Sequence, residues 1–189
     1  MALKKWWSDL TAPLVRYWEK IVPWGWLRET IETVVWAVAL ALLLKAFVVG
    51  NFWIPSESMV PTLLVGDRVI VWKFEYLLRK PKRGDVIVFK YPKDTSLDYV
   101  KRLIALPGDE VEIKNGVVWI NGQRTEEPYV IFHDTYNYKA TVPADSYLAL
   151  GDNRPNSADS RFWGFVPAKN VYGPVSFRYW PLNRIGLVK

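Results

Sequence analysis

The chain of 189 residues contains no cysteine and a single histidine, His133. The absence of cysteine excludes disulfides, thiolate-ligated zinc sites and a cysteine nucleophile. One histidine cannot build a multi-histidine metal site, and the sequence has neither a His-Glu-x-x-His nor a Gly-x-Ser-x-Gly motif. A serine–histidine–aspartate triad would have to use His133, which we expect to be a surface or loop residue in the stretch YVIFHDTYNY.

Charge is nearly absent from residues 33–54, TVVWAVALALLLKAFVVGNFWI, where Lys45 is the single charged residue. A membrane-spanning helix needs about 20 mainly apolar residues. The run therefore predicts one N-terminal transmembrane helix, which we place at residues 29–53. A buried helix of a soluble protein is the alternative.

The register of this helix is left open by its charged residues. Lys45 could reach back to the outer interface. Equally, the span could begin near Trp24, with Arg28 and Glu32 paired one helical turn apart near the inner face.

Positive charge dominates the segment before the apolar run, with Lys4, Lys5, Arg16, Lys20 and Arg28 against Asp9 and Glu19. Because positive flanks favour the cytoplasmic side, we expect residues 1–28 to be a Trp-rich cytoplasmic tail and the residues after about 50 to lie outside. The net charge of +6 is scattered and forms no long basic block. We therefore expect membrane lipid, and no nucleic acid, as a partner.

After Pro55 the pattern changes to short β-like runs: DRVIVW, DVIVFKY, YVKRLIAL, DEVEI, GVVWI, SYLALGD and VYGPVSFRYW. Asn115-Gly116 and Asn121-Gly122 predict tight turns on either side of GVVWI. No helical period of useful length follows residue 60. The sequence thus predicts a mostly β domain over residues 54–189, with a possible accessory lobe at about 107–145.

Ser58 is the candidate nucleophile, and such a hydroxyl needs a base to take its proton. Lys101 lies in a strand whose alternation places it on one face with Tyr99 and Leu103. An ordinary lysine has a pKa of about 10.4, and burial can lower it by ~3–5 units, which would make Lys101 a usable base. A solvated lysine on a strand face is the alternative, and the sequence does not decide whether Lys101 and Ser58 meet.

Four stretches, IPSESMVPTL, GDVIVFKYP, YVKRLIALPGDEV and GDNRPNSADSRFWGFVP, follow the apolar run in this order. Together they resemble the characteristic boxes of bacterial type I signal peptidases over most of the chain after about residue 35. The resemblance implies coiled antiparallel sheets of the Ser–Lys peptidase type and a serine endopeptidase on the outer face of a bacterial cytoplasmic membrane. It implies cleavage of signal peptides from exported preproteins after small residues, with no metal and no organic cofactor.

The resemblance also implies a role for individual residues. Ser58 matches the nucleophile, Lys101 the general base, and Ser56 with the Ser58 backbone N–H the oxyanion hole. The supporting residues are Ser157, which orients the lysine, and the charged residues Arg102, Asp152, Asp159 and Arg161. Plausible walls of the substrate pockets are Ile54, Met59 and Ile104. Pro155 departs from the usual Asp or Asn at its position, which puts any backbone contact there in doubt.

Two other functions compete with this interpretation. A self-cleaving repressor-type Ser–Lys peptidase would need a DNA-binding helix-turn-helix where this chain has an apolar run. A membrane-tethered scaffold without activity is disfavoured by the intact Ser58 and Lys101. A penicillin-recognising acyl enzyme would need Ser-x-x-Lys, and that spacing does not occur. The sequence leaves the preferred substrates and the oligomeric state open.

Overall fold

The computed structural model describes residues 25–47 and 49–188, without the side chains at 43–47 and 49. Most of the predicted tail, up to residue 24, and the side chain of Lys45 lie outside the described residues. The chain divides into two compact units between Ala46 and Phe47.

Helix α1 spans Gly25–Phe47. Arg28 pairs with Glu32 one turn later, with the Arg28 Nε 3.4 Å from a carboxylate oxygen. Many of the apolar side chains of α1 are exposed, among them Val34, Trp36 and Leu42. Within the described part of the chain, no helix has both the length and the apolar character needed to cross a membrane.

The helix predicted over residues 29–53 is wrong at its C-terminal end. Residues Val49–Trp53 form strand β1, which pairs antiparallel with β2, Arg68–Trp72. The reason lies in the sequence VGNFW, because glycine, asparagine and β-branched valine are poor helix formers and the aromatic residues suit a sheet. Pairing with β2 gives hydrogen-bond partners to the backbone N–H and C=O groups of this segment, which no longer have partners within a helix.

The larger sheet has eight strands, in the order β1-β2-β11-β3-β4-β9-β10, with β12 also paired to β11. Its remaining strands are β3 Val86–Lys90, β4 Asp98–Ala105, β9 Ser146–Leu150, β10 Val166–Pro167, β11 Val171–Trp180 and β12 Gly186–Leu187. All of these pairs are antiparallel. The prediction of a mostly β fold is confirmed.

A second sheet of four antiparallel strands lies within the segment where an accessory lobe was expected. Its order is β7-β6-β5-β8, with bounds β5 Glu110–Lys114, β6 Val117–Ile120, β7 Gln123–Arg124 and β8 Tyr138–Thr141. The two predicted turns are confirmed, since Asn115, Gly116, Asn121 and Gly122 all have positive φ and connect paired strands. All seven predicted runs contain a strand.

Burial on both faces explains the continuous apolar run of β3. Val86 and Val88 pack on one side with Met59, while Ile87 and Phe89 pack on the other side with Trp163. A third cluster joins the second sheet to β4 and β9, and it includes Ile104, Val111 and Leu148. Strand β4 is thus held between β3 and β9 at the centre of this core.

Helical structure in the unit Phe47–Lys189 is limited to short segments among its described residues. The α-helices α2 and α3 span Glu75–Leu78 and Ser160–Trp163, and the 3₁₀ turns span Arg154–Asn156, Ala168–Asn170 and Leu182–Arg184. None of them reaches two turns of α-helix, which explains why no helical period was visible in the sequence.

Candidate active site

Ser58 lies in the loop between β1 and β2, and this loop is anchored at both ends. The backbone N–H of Ile54 donates to the Asp67 carbonyl and that of Gly66 donates to the Ile54 carbonyl, each at 2.9 Å. Met59 and Leu63 are buried in the core, and the Leu63 N–H donates to the Met59 carbonyl. The loop therefore presents the Ser58 hydroxyl from a fixed backbone.

Lys101 lies on β4 and contacts Ser58. Its ammonium donates to the Ser58 Oγ over 2.6 Å, and the two residues are 4% and 7% exposed. Burial lowers the pKa of Lys101 to about 8, although the negative charges of Asp159 and Asp152 act to raise it. A lysine with this pKa is uncharged in a useful fraction of molecules near neutral pH and can accept a proton.

A cleft of about 350 Å³ opens beside these two side chains. Apolar residues form much of its wall, among them Ile54 and Met59, which the sequence analysis proposed as pocket residues. Its lining also includes Phe52, Trp53, Tyr99, Val100 and Ala158, with polar groups from Ser56, Asp98 and Asn156. The Ser56 Oγ lies 3.3 Å from the Ser58 Oγ, so a second hydroxyl is available next to the nucleophile.

Ile104 is placed elsewhere, and its assignment as a wall of this cleft is wrong. It is buried in the cluster that joins β4 to the second sheet. Strand alternation puts Ile104 on the face opposite Lys101, so its side chain points away from Ser58.

Arg102 forms a buried two-point ion pair with Asp152. Its Nε and Nη2 donate to the two carboxylate oxygens over 2.8 and 2.7 Å. Thr62, four residues after Ser58, donates its hydroxyl to Asp152 and accepts a 3.1 Å hydrogen bond from Arg102. The pair thus connects β4, the loop after β9 and the loop of Ser58.

The loop after β9 touches the nucleophile turn through its backbone. The Asn153 N–H donates to the Ser58 carbonyl over 3.1 Å. Gly151 permits this approach, because a Cβ built there would lie 2.5 Å from the Ser58 carbonyl oxygen and 2.2 Å from the Ser157 Oγ. Within the part of the chain that the structure describes, the buried Ser157 hydroxyl has no hydrogen-bond partner, so the contact expected with Lys101 is not formed.

Asp159 and Arg161 form a second buried pair, with two contacts of 2.8 Å. Asp159 also accepts the Gly151 N–H over 3.0 Å, which ties this pair to the site loop. Pro155 is exposed in the 3₁₀ turn Arg154–Asn156, where a missing N–H is tolerated. The neighbouring Asn156 side chain still reaches Glu57 over 3.0 Å.

Sequence reasoning missed Thr62, Gly151 and the acidic residues Glu127 and Asp134, which contact Arg154 and Arg161. Thr62 and Gly151 stand inside the quoted boxes, so their position there was the available signal. Glu127 and Asp134 are far from the boxes, and only the fold brings them near. Among the described residues no group of acidic or histidine side chains could hold a metal ion.

The family described as "Signal peptidase, peptidase S26" matches residues 27–180. Signal peptidase I of Leptolyngbya laminosa is 48% identical over 169 residues, which cover 85% of this chain and 83% of that protein. Signal peptidase I of Bacillus caldolyticus is 37% identical over 163 residues, covering 78% and 88%. A solved signal peptidase I from Enterococcus faecalis V583 is 35% identical, with a TM-score of 0.48, and covers 52% of this chain and 98% of that structure.

These matches show the class of protein. The chain belongs to the signal peptidase family, peptidase S26, and is a serine peptidase.

Proposed function

We propose that the chain removes signal peptides from exported preproteins as a Ser–Lys endopeptidase. The observation that carries the proposal is the 2.6 Å contact between Lys101 Nζ and Ser58 Oγ in a cleft with a largely apolar wall. The names of the relatives, signal peptidase I, support this class of substrate. The cleft of about 350 Å³ beside Ser58 and Lys101 offers room for substrate residues next to the cleaved bond.

Neutral Lys101 takes the proton of Ser58 as the Ser58 Oγ bonds to the scissile carbonyl carbon. The new oxyanion accepts hydrogen bonds from the Ser56 hydroxyl and the Ser58 N–H, a contribution of about 3–4 kcal/mol per donor. Lys101 then returns the proton to the leaving amine, which departs as the new N-terminus of the mature protein. In the second half, Lys101 deprotonates a water molecule that hydrolyses the acyl ester and frees Ser58.

The supporting residues hold this geometry without reacting. Arg102 and Asp152 fix β4 against the loop of Ser58, while Asp159 and Arg161 fix the loop after β9. Ser157 is buried beside Gly151, where its hydroxyl makes no hydrogen bond within the described part of the chain, and its proposed role is to orient Lys101.

The test is the full chain in detergent with a purified precursor. Ser58→Ala and Lys101→Ala are each expected to abolish cleavage, since one loses the nucleophile and the other the base. Lys114→Ala removes an exposed lysine of the second sheet and is the matched control, with unchanged activity expected. Full activity of either dyad variant would refute the mechanism.

The proposal includes attachment to the outer face of a bacterial cytoplasmic membrane. Residues 1–28 are cytoplasmic, residues 29–47 are the tether, and the catalytic β domain lies outside. The low charge of residues 33–54 and the exposed apolar side chains of α1 support it. We expect the expressed chain to stay in the membrane pellet after sodium carbonate extraction. Release of the intact chain into the supernatant would contradict the tether.

A further inference from the structure

The connection between β7 and β8 leaves the second sheet and reaches the candidate active site. We call residues 127–134 of this connection the brace segment. We propose that the brace segment positions the active-site loop, with Glu127 and Asp134 as positioning residues that act through Arg154 and Arg161. This inference rests on the proposed function, because it assigns a role within that reaction.

Glu127 neutralises a buried arginine of the active-site loop. Its carboxylate accepts a 2.6 Å hydrogen bond from Arg154 Nη2, and the two side chains are 9% and 2% exposed. The Arg154 Nε in turn donates to the Gly151 carbonyl over 3.0 Å. Glu127 therefore holds the arginine that fixes the backbone next to Ser58.

Asp134 does the same for Arg161 from the other end of the brace segment. Its Oδ2 accepts a hydrogen bond from Arg161 Nη1, and its Oδ1 accepts the Tyr136 N–H over 3.1 Å. Arg161 Nη2 donates to the Arg154 carbonyl over 2.7 Å. The two arginines are thus linked, and each has one acidic partner in the brace segment.

Tyr129 supplies a third contact, to the strand that carries Lys101. Its ring centroid lies 3.9 Å from the guanidinium carbon of Arg102, and its hydroxyl donates to Glu127 over 3.1 Å. One short segment therefore touches Arg102, Arg154 and Arg161.

Charge explains why these contacts position the loop. A buried arginine stays protonated, so Arg154 without Glu127 must move towards water or find another acceptor, whereas Arg161 without Asp134 keeps its pair with Asp159 but loses its tie to the brace segment. Movement of Arg154 would release the Gly151 carbonyl, and the adjoining Asn153 N–H bonds the Ser58 carbonyl. Loss of Glu127 or Asp134 should therefore disturb the geometry of Ser58 more than the cleft walls, none of which belongs to the brace segment.

The experiment measures kcat and KM of Glu127→Gln and Asp134→Asn with a purified precursor and the full chain in detergent. We expect kcat to fall about ten-fold in each, a part of what one charge-assisted hydrogen bond contributes, with KM within two-fold of the wild type. Asp134→Glu keeps the charge and should retain at least half of the wild-type kcat. Glu112→Gln removes an exposed acidic residue of the same sheet, paired with Lys114, and should leave kcat unchanged.

Three results would overturn the inference. The first is a wild-type kcat in both amide variants. The second is a rise in KM with kcat unchanged. The third is a kcat of Asp134→Glu as low as that of Asp134→Asn. Either of these two results would show a role other than positioning by charge. If an amide variant fails to fold, Tyr129→Phe replaces it in the test, because this variant keeps the aromatic ring on Arg102 and loses only the hydroxyl that bonds Glu127. We expect its kcat to fall two- to three-fold. A wild-type kcat would contradict the proposed role of the brace segment. Ser58→Ala is assayed in parallel, because activity in that variant would refute the proposed function itself.

Discussion

Lys101 and Arg102 are neighbours on β4, both are buried, and they have opposite environments. Lys101 faces the cleft, where its hydrogen-bond partner is the neutral hydroxyl of Ser58. Arg102 faces the other side, where Asp152 meets it with both carboxylate oxygens. The two faces of one strand show that the partner, more than the burial, decides what a buried base can do.

On the Arg102 side, burial is compensated. The guanidinium donates to Asp152, to the Gly84 carbonyl and to Thr62, and the Tyr129 ring covers it. Such a pair fixes geometry, and it contributes less to stability than its contacts suggest because both ions lose their hydration.

On the Lys101 side, the negative charges of Asp159 and Asp152 compensate burial only in part. Its pKa of about 8 in the folded protein lies below the ordinary value of 10.5, so folding disfavours the ammonium. The contribution of Lys101 to stability is therefore greatest above pH 10.5, falls as the pH drops towards 8, and stays reduced below it, by on the order of 3 kcal/mol. Together with this loss in stability, the site has an amine that is uncharged in a useful fraction of molecules near neutral pH.

The largest effect on stability is expected when the charge partner of Arg102 is removed. Asp152→Asn leaves a buried arginine without its charge partner, and we expect it to lower the free energy of unfolding by about 3–5 kcal/mol. Chemical denaturation followed by tryptophan fluorescence measures this change. Glu112→Gln, at an exposed pair, is the control and should shift stability by less than ~0.5 kcal/mol. A loss in the free energy of unfolding as small as that of the control would contradict the view that Asp152 compensates the buried charge of Arg102.

A smaller effect concerns the pH profile on the Lys101 side. Because the base must be neutral, kcat/KM of the wild type should rise with pH and level off above an apparent pKa of about 8. Asp152 is one of the charges that raise the pKa of Lys101, so Asp152→Asn should move this acidic limb to lower pH. An activity that rises as the pH falls below 7 would contradict a lysine base.

Local pattern predicted most of the β fold. Strands such as Val86–Lys90 and the Asn-Gly turns carry their signals within a few residues, as β-branched runs and as positions that need positive φ. The end of α1 was missed because apolar residues serve a helix and a strand equally well, although Gly50 and Asn51 in VGNFW are poor helix formers and the segment pairs with β2. Ile104 was misplaced although strand alternation already puts it on the face opposite Lys101, and the structure buries it in the cluster that joins β4 to the second sheet.

The sequence by itself excluded cysteine and multi-histidine chemistry, and the boxes that contain Ser58 and Lys101 mark the family whose resemblance implies this pair. The tertiary structure alone decided that these two side chains meet, that burial lowers the pKa of Lys101, and that Glu127 and Asp134 reach Arg154 and Arg161. The physical reason is that reactivity depends on the chemical groups of the side chains, and these are given by the residue types in the sequence. Contact and desolvation depend on how residues 43 positions apart are packed, and that is settled only by the whole fold.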